Sequence, residues 1–464
     1  MSIIKQTPKD TVSLTKQRSY TEIIEFLDTH HTSTSTQTSL ERMTQLDALF
    51  SYPSKKITAI TIAGTNGKSL TAHFTAKLLH NEGLTVGVFQ YPHIITYNES
   101  LTLNTDSITN KLFTDFANEV INATESTGLT VTTREILTQM AINYFVKSNV
   151  DVVILESAEG KYDCTALYNA PVKAITRLIE PAIKEKKDLT AFLEQFANII
   201  TPDCYFVSAD QNKMHLQYLQ EYTKSVGAHW TMPIRKVVSL QYPFELIHGR
   251  CAALAERIAS LFIHHVINKN GTVIIGGLLT QPKEQRGRPT LEAKRRQEQQ
   301  PRKTIENFWK GTVSNLPGRF QFLEKEKPGI LLDNADNSDA LNNLFLGIRL
   351  LHYRHAFKGF VLLLNLDTKL INTEQFAKEV RYFFKKTPGQ LILCPSKQAT
   401  YPHQTEQFNT ALKEIKFKAK IVQSFSEGLE IAKKLVNERN GLIAIAGSST
   451  IISEYWNIKG IKKN

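Results

Sequence analysis

The sequence of 464 residues contains few cysteines, and they lie far apart. The four are Cys164, Cys204, Cys251 and Cys394, and no CxxC pair occurs. This spacing argues against a disulfide framework and against a zinc site encoded by paired cysteines. It is typical of a reducing compartment, so we expect a cytoplasmic protein.

Long apolar runs are also missing. No stretch of about 18 apolar residues occurs, which argues against a membrane-spanning helix. Residues 1–18 are polar and mixed in charge, without the apolar centre of a signal peptide. The composition, with 41% hydrophobic residues over this length, instead suits two or three globular domains.

The net charge is +12, and part of the excess is concentrated in residues 281–303, which hold eight Lys or Arg against three Glu. A basic segment can bind nucleic acid. This one has no aromatic side chain on which a base could stack. We therefore interpret it as a solvated insertion and expect no nucleic-acid partner, with a nucleic-acid tether as the alternative.

Apolar strand patterns alternate with helical patterns along most of the chain. We predict helices at 20–27 and 40–49, the second of them capped by Ser39. The first series that follows has strands at 85–89, 151–155, 172–176, 204–207 and 271–275. Its helices are predicted at 108–123, 133–147 and 189–200. A second series has strands at 329–333, 359–365, 390–394 and 441–446 and helices at 340–350, 373–385 and 428–437. The alternation predicts parallel α/β sheets with helices on both faces. We place the domains at 1–305, including the basic insertion, and 306–464.

A glycine-containing loop follows the apolar run at 56–63 and precedes a helical pattern that begins at Leu70. Its residues are Gly64, Thr65, Asn66, Gly67, Lys68 and Ser69. Strand, glycine turn and helix in this order form a cradle whose backbone N–H groups and lysine bind phosphates. The strict pattern has glycine where this chain has Ile62, so a chance strand-to-helix turn is the alternative.

Polar residues near the ends of other strands could complete a site. Glu156 ends a buried strand and, with Ser69, could hold Mg²⁺ beside a triphosphate, or it could merely cap a helix. Asp333 and Asn337 follow a strand of the second series and suit ribose or phosphate contacts, with an ordinary Asx-rich turn as the alternative.

Two further residues could reach the same cleft. Arg319, at the domain junction, could contact a nucleotide from the second domain. His93, after Pro92, could contact a substrate, although a lone histidine is more often structural.

The order and spacing of these motifs resemble the folylpolyglutamate synthase family, a branch of the Mur-type amide ligases. The resemblance covers most of the chain and rests on segments 40–43, 52–53, 63–68, 83–87, 91–94, 97–99, 135–145, 153–156, 316–319, 333–337 and 446–448. It implies a P-loop, parallel-sheet, Mur-ligase-like central domain followed by a smaller Rossmann-like α/β domain.

The resemblance also implies a reaction. ATP would phosphorylate a substrate carboxylate, and the amine of an amino acid, with glutamate expected, would attack the acyl phosphate of a folate-like acid. Lys68 and Mg²⁺ would neutralise the developing charge. Glu156 would be the magnesium carboxylate, and Arg319, Asp333 and Asn337 would contact ATP. A monomer is usual for this fold.

Several positions depart from the family pattern. Tyr91 replaces a serine, Ala182 a metal-binding histidine, Phe196 a modified lysine and Asp336 a histidine. The turn after Glu156 is one residue shorter, and the glutamine and asparagine expected at 248–254 are missing. Neither alanine nor phenylalanine can coordinate a cation. A catalytically degraded, nucleotide-binding pseudo-ligase is therefore the alternative to an active ligase, and a P-loop NTPase that acts with a protein partner is a third interpretation.

Overall fold

The computed structural model describes residues 16–29, 38–157, 160, 163–180, 186–233, 244–268, 278–279, 304–312, 316–367, 372–395 and 403–460. Two β-sheets organise these residues. The first sheet has eight strands and the second has six. The predicted strand at 271–275 and the basic segment at 281–303 lie outside the described residues.

The first sheet is parallel at its centre and antiparallel at one edge. Its strands are β1 (Ala59–Ala63), β2 (Val86–Phe89), β3 (Leu101–Leu103), β4 (Asp106–Ser107), β5 (Val152–Ser157), β6 (Val172–Ile175), β7 (Tyr205–Ser208) and β8 (His229–Thr231). The order across the sheet is β4-β3-β2-β5-β1-β6-β7-β8. Every residue of β1 and β5 is buried, as expected for central strands covered on both faces.

Helices cover both faces of this sheet. They are α1 (Tyr20–Thr29), α2 (Ser39–Leu49), α3 (Lys68–Asn81), α4 (Asn110–Thr127), α5 (Thr133–Lys147), α6 (Lys186–Ala197), α7 (Lys213–Ser225), α8 (Phe244–Phe262) and α9 (Ile305–Gly311). One apolar cluster joins α1, α2, α4 and α5, and another joins α3 and α8. Trp309 of α9 packs edge-on against Phe74 of α3, with 5.3 Å between the ring centroids.

The second sheet repeats the same plan on a smaller scale. Its strands are β9 (Gln321–Leu323), β10 (Gly329–Asp333), β11 (Phe360–Leu364), β12 (Gln390–Leu393), β13 (Lys420–Ile421) and β14 (Leu442–Ala446), in the order β13-β12-β11-β14-β10-β9. Its helices are α10 (Ser338–His355), α11 (Thr373–Lys386), α12 (Gln404–Glu414), α13 (Phe425–Leu435) and α14 (Ser449–Ile458). Of these six strands, β9 alone runs antiparallel to its neighbour.

The predicted α/β class is confirmed, with corrections in detail. The cap of α2 is Thr38, not Ser39: the Thr38 side chain accepts from the Glu41 backbone N–H, and Glu41 reciprocates. The antiparallel edge strands β3, β4 and β9, the short strands β8 and β13, and the helices α7, α8, α9, α12 and α14 were not predicted. The boundary between domains at 305/306 stays a prediction.

No helix in the described ranges is both long enough and apolar enough to cross a membrane.

A buried ion pair ties α2 to α5. Arg42 donates from Nε and Nη2 to the two carboxylate oxygens of Glu135, at 3.0 and 2.6 Å, and both side chains are almost fully buried. The Ser39 hydroxyl donates to the same carboxylate at 2.6 Å. The pair therefore fixes how the N-terminal helices sit against the first sheet.

We expect Arg42→Met to destabilise the first domain by about 3 kcal/mol, because it leaves the Glu135 carboxylate buried without its cation. The double variant Arg42→Met with Glu135→Leu should recover part of this loss. Urea unfolding followed by circular dichroism measures both. Equal destabilisation by the double and the single variant would show that the lost packing, not the unpaired charge, is the cost.

Candidate active site

The phosphate loop lies between β1 and α3, as the sequence predicts. Gly64 and Gly67 adopt φ angles of +129° and +88°, which side chains rarely tolerate. A Cβ atom on Gly64 would collide with Thr176 Oγ1, and one on Gly67 would lie 3.0 Å from Cys251 Sγ. The backbone conformation thus requires glycine at both positions, and space requires it at Gly64. The loop directs the N-terminus of α3 toward any anion bound in it.

Some hydrogen-bond donors of the loop are already bonded to other protein atoms. The backbone N–H groups of Thr65 and Asn66 donate to the Arg177 carbonyl at 2.6 and 3.2 Å. Lys68 Nζ donates to the carbonyl oxygens of Gly64 and Thr65 at 2.8 and 3.2 Å. Burial lowers the pKa of Lys68, and nearby Glu156 opposes this shift. A bound phosphate would have to displace some of these contacts.

Glu156 reaches the loop through strand pairing. β5 lies beside β1 with Glu156 opposite Ile62, so the carboxylate stands next to the start of the loop. Ser69 Oγ donates to Glu156 Oε2 at 3.0 Å, and Lys68 Nζ lies 3.8 Å from Oε1. The alternative that Glu156 only caps a helix does not account for its contacts with Ser69 and Lys68.

The Ser69 and Glu156 oxygens fit a magnesium ion. Mg²⁺ prefers hard oxygen ligands at about 2.1 Å in octahedral geometry, so two adjacent ligands lie about 3.0 Å apart. In this structure a hydrogen bond joins the two oxygens at 3.0 Å, and their role as magnesium ligands stays a prediction. Among the described residues, no group of three or more His, Cys, Asp or Glu side chains is arranged to hold a metal.

The second domain contributes Arg319 and Asp333 to the same region. Arg319 Nη2 approaches Ser69 Oγ at 3.4 Å. Asp333, at the end of β10, accepts a hydrogen bond from the Phe320 backbone N–H at 2.8 Å. Burial raises the pKa of Asp333 to about 7, while the Phe320 N–H and the Arg319 charge oppose the rise.

Asn337 has two roles in the structure. Its Oδ1 accepts from the Ala340 backbone N–H and so caps α10, as an Asx turn would. Its amide also forms a reciprocal pair with the amide of Asn66 in the phosphate loop, at 2.9 and 2.7 Å. Asn337 is therefore both the cap of α10 and a direct link from the second sheet's region to the loop that follows β1.

His93 follows β2, and its ring lies 4.0 Å from that of Tyr97. It lines a cavity of about 360 Å³ that Ser69 and Arg319 also line. The structure thus brings the predicted substrate residue to the same space as two predicted nucleotide contacts. Their functional roles stay predictions.

The sequence reasoning missed two arginines. Arg134 Nη2 donates to the Glu156 carbonyl at 3.2 Å and to Asp163 Oδ2 at 2.6 Å. Arg177 lies 3.2 Å from Asp339 in the second domain. Arg177 follows β6 closely, so the rule that site residues follow parallel strands could have found it. Arg134 lies within a helix, where no sequence pattern singles it out.

Four of the departures from the family pattern lie among the described residues. The Arg134 guanidinium lies 5.5 Å from the centroid of the Tyr91 ring, and Asp336 Oδ1 accepts a hydrogen bond from Asn337 Nδ2 at 2.9 Å.

Phe196 of α6 is buried in an apolar cluster with Ala63 and Ile175, and its own side chain offers no ligand atom to a cation. His248 of α8 packs against Phe244 and Phe320, and burial lowers its pKa to about 4. Ala182 lies outside the described residues.

The two sheets of mostly parallel strands, with the glycine loop between β1 and α3 facing residues of the second sheet, form a Mur-ligase-like α/β fold. Solved structures with this fold include a bifunctional folylpolyglutamate synthase/dihydrofolate synthase from Yersinia pestis, complexed with AMPPNP and Mn (TM-score 0.70, 18% identity, 98% of this chain and 100% of that one). They also include a Mycobacterium tuberculosis folylpolyglutamate synthase complexed with ADP (TM-score 0.73, 17% identity, 95% and 98%).

Sequence comparison gives the same relatives over a shorter span. The dihydrofolate synthase/folylpolyglutamate synthase of Bacillus subtilis is 37% identical over 145 residues, which are 30% of this chain and 34% of that protein. The Escherichia coli protein of the same name is 30% identical over 177 residues, 38% and 40% of the two chains. The matched segments thus span about a third of the length of these relatives. No protein-family model matches the chain. The resemblance to folylpolyglutamate synthases is confirmed.

Asp333→Asn should stabilise the protein at pH 8. Folding raises the pKa of this carboxyl from an ordinary value of 3.8 to about 7, so stability falls as pH rises between these values and the full penalty applies above pH 7. Asparagine carries no charge and so removes this penalty. The free energy of unfolding should rise by about 1 kcal/mol or more, since one pKa unit corresponds to about 1.4 kcal/mol.

Thermal unfolding at pH 5 and pH 8 measures the difference, with Asp115→Asn at an exposed position of α4 as control. A stability difference between Asp333→Asn and the parent protein that is the same at both pH values would contradict the assignment.

Proposed function

We propose that this protein is an ATP-dependent carboxylate–amine ligase that adds an amino acid, with glutamate expected, to a folate-like acidic substrate. The observation that carries the proposal is the meeting of Lys68, Ser69 and Glu156 with Arg319 of the second domain at one cleft. Support also comes from the similar structures, one of which has Mn, AMPPNP and L-glutamate bound.

In the first step, the phosphate loop holds the triphosphate of ATP. A substrate carboxylate oxygen attacks the γ-phosphorus, the bond from phosphorus to the bridging oxygen breaks, and ADP leaves. Lys68 and Arg319 are the cations that would neutralise charge on the transferring group. The Ser69 and Glu156 oxygens would hold Mg²⁺, which supplies further charge neutralisation at the phosphates.

In the second step, the amine of the amino acid attacks the carbonyl carbon of the acyl phosphate. The carbon–oxygen bond to phosphate breaks, inorganic phosphate leaves, and the nitrogen loses a proton as the amide forms. A free carboxylate has no comparable leaving group, which is why one ATP is consumed for each bond. Residues of both domains surround this space, so water is best excluded when the domains approach each other.

Lys68→Ala and Glu156→Gln should each lower the rate of amide formation by a factor of about 100 to 1,000, because each removes a charged group from the phosphoryl-transfer site. Coupled ADP release and mass spectrometry of the amide product measure this with folic acid or dihydropteroate and L-glutamate. Lys433→Ala, on the exposed face of α13, is the matched control and should retain full activity.

Unchanged product formation in the Lys68→Ala variant would exclude the proposed role of the phosphate loop. Absence of both ADP release and Mg-ATP binding in the parent protein would exclude the ligase itself.

A nucleotide-binding pseudo-ligase is the second candidate, favoured by the buried Phe196 at the position of the family's modified lysine. Calorimetric titration with ATP, with and without Mg²⁺, separates the two. Magnesium-dependent binding that is lost in Lys68→Ala, without ADP release for any acid and amino acid tested, would favour the pseudo-ligase.

A further inference from the structure

The cavity of about 360 Å³ beside the phosphate loop has a lining that the reaction steps above do not use. One wall is a single face of α3, formed by Ser69, His73, Ala76 and Lys77, whose spacing of four, three and one residues keeps them on one side of a helix. From Ser69 to Lys77 this face extends about 12 Å from the loop. The volume is at the lower end of the range for small-molecule sites.

The permanent charges of the lining favour an anion. Lys77 and Arg319 are the cations, and Glu99 is the one carboxylate among the described lining residues. The Glu99 oxygens already accept hydrogen bonds from the backbone N–H groups of Ile94, Ile95 and Thr96 at 3.0–3.1 Å. Its hydrogen-bonding capacity is therefore largely taken by its own loop, although its charge also acts on Arg319. The two cations outnumber the one carboxylate of the described lining.

A buried polar atom also points to a missing ligand. His73 Nε2 is buried and has no hydrogen-bond partner among the residues that the structure describes. Burial lowers the pKa of His73 to about 4, so the ring is neutral near pH 7. A neutral imidazole can donate or accept one hydrogen bond at this nitrogen, depending on its tautomer.

The remaining lining selects among acidic ligands. Opposite α3, the β3–β4 hairpin contributes the polar residues Thr102, Asn104, Thr105 and Ser107. No Phe, Tyr or Trp occurs in the described part of the lining, where the rings are the imidazoles of His73 and His93. The His93 ring already lies 4.0 Å from that of Tyr97, so a flat ligand such as a pterin or adenine would find little aromatic surface on which to stack. An aliphatic carboxylate with hydrogen-bonding groups fits this lining better.

We propose that this cavity binds the aliphatic, carboxylate-bearing part of a substrate, a ligand of the glutamate class, with Lys77 as its charge partner and its inner end beside Ser69 and Arg319. The proposal rests on the ligase function above. The carboxylate chemistry has two sources, the free amino acid and a glutamyl residue already attached to the acidic acceptor.

The test uses Lys77→Met, Lys77→Arg and the surface control Lys433→Met in the full-length protein. Calorimetry with L-glutamate, in the presence of Mg²⁺ and AMPPNP, reports the amino acid. KM values for pteroate and for pteroylglutamate, with L-glutamate and ATP saturating, report the attached residue. Loss of a charged hydrogen bond should weaken binding about tenfold or more, while Lys77→Arg and the control should stay within about threefold.

A tenfold loss for L-glutamate alone assigns the cavity to the incoming amino acid. A tenfold rise in KM for pteroylglutamate but not for pteroate assigns it to the attached glutamyl residue. Unchanged values for all ligands in Lys77→Met overturn the proposal, provided that Mg-ATP binding is intact. Loss of Mg-ATP binding in the parent protein would instead count against the ligase function.

Lys77 is half-buried, so its replacement could impair folding. Thr102→Glu, on β3, provides a second variant, because it places a negative charge in the cavity, where it repels an anionic ligand, without touching α3. This variant should lower the affinity for the same ligand at least tenfold and leave the affinity for Mg-ATP unchanged. Normal ligand binding in a folded Thr102→Glu protein would overturn the proposal.

Discussion

The parallel pairing of β1 with β5 is the constraint on which the site depends. It sets Glu156 opposite Ile62, one residue before Ala63 ends β1 and two before the loop begins at Gly64. Since both strands are buried along their whole length, neither can shift without exposing apolar side chains. A slip by one residue would turn Glu156 toward the opposite face. The distance between carboxylate and loop is therefore fixed by the core of the sheet.

The region of the second sheet completes the site through both polar and apolar contacts. Ile94 joins the apolar cluster of the second sheet, and Phe244 and His248 of α8 pack against Phe320. Asn66 with Asn337, Arg177 with Asp339, and Arg319 with Ser69 link the loop region to the second sheet. Partly exposed polar contacts contribute little net stability because water competes for them. Ile94 and His248 are buried and Phe244 is half-buried, so their apolar contacts contribute more of the stability of this interface than the polar pairs do.

The sequence was sufficient for the elements with strong patterns. The loop from Gly64 to Ser69 and helix α5 were located correctly, because glycine turns and helical spacing are local signals. The edge hairpin β3–β4 was missed, since its strands are short and half-exposed. The cavity beside α3 was missed because His73 and Lys77 acquire meaning only when the hairpin packs opposite them. Asn337 shows the same limit: the sequence marks an Asx turn, but only the tertiary structure adds Asn66.

The hydrogen bonds that the phosphate loop already makes to the Arg177 carbonyl affect how strongly it can bind a nucleotide. The Arg177 carbonyl acts as an internal competitor for the Thr65 and Asn66 N–H groups, and the Arg177 side chain is bound to the second domain through Asp339. Any phosphate that takes these donors must first break their two hydrogen bonds to the Arg177 carbonyl. Nucleotide affinity is then the difference between the bonds that the phosphate gains and the bonds that the loop loses.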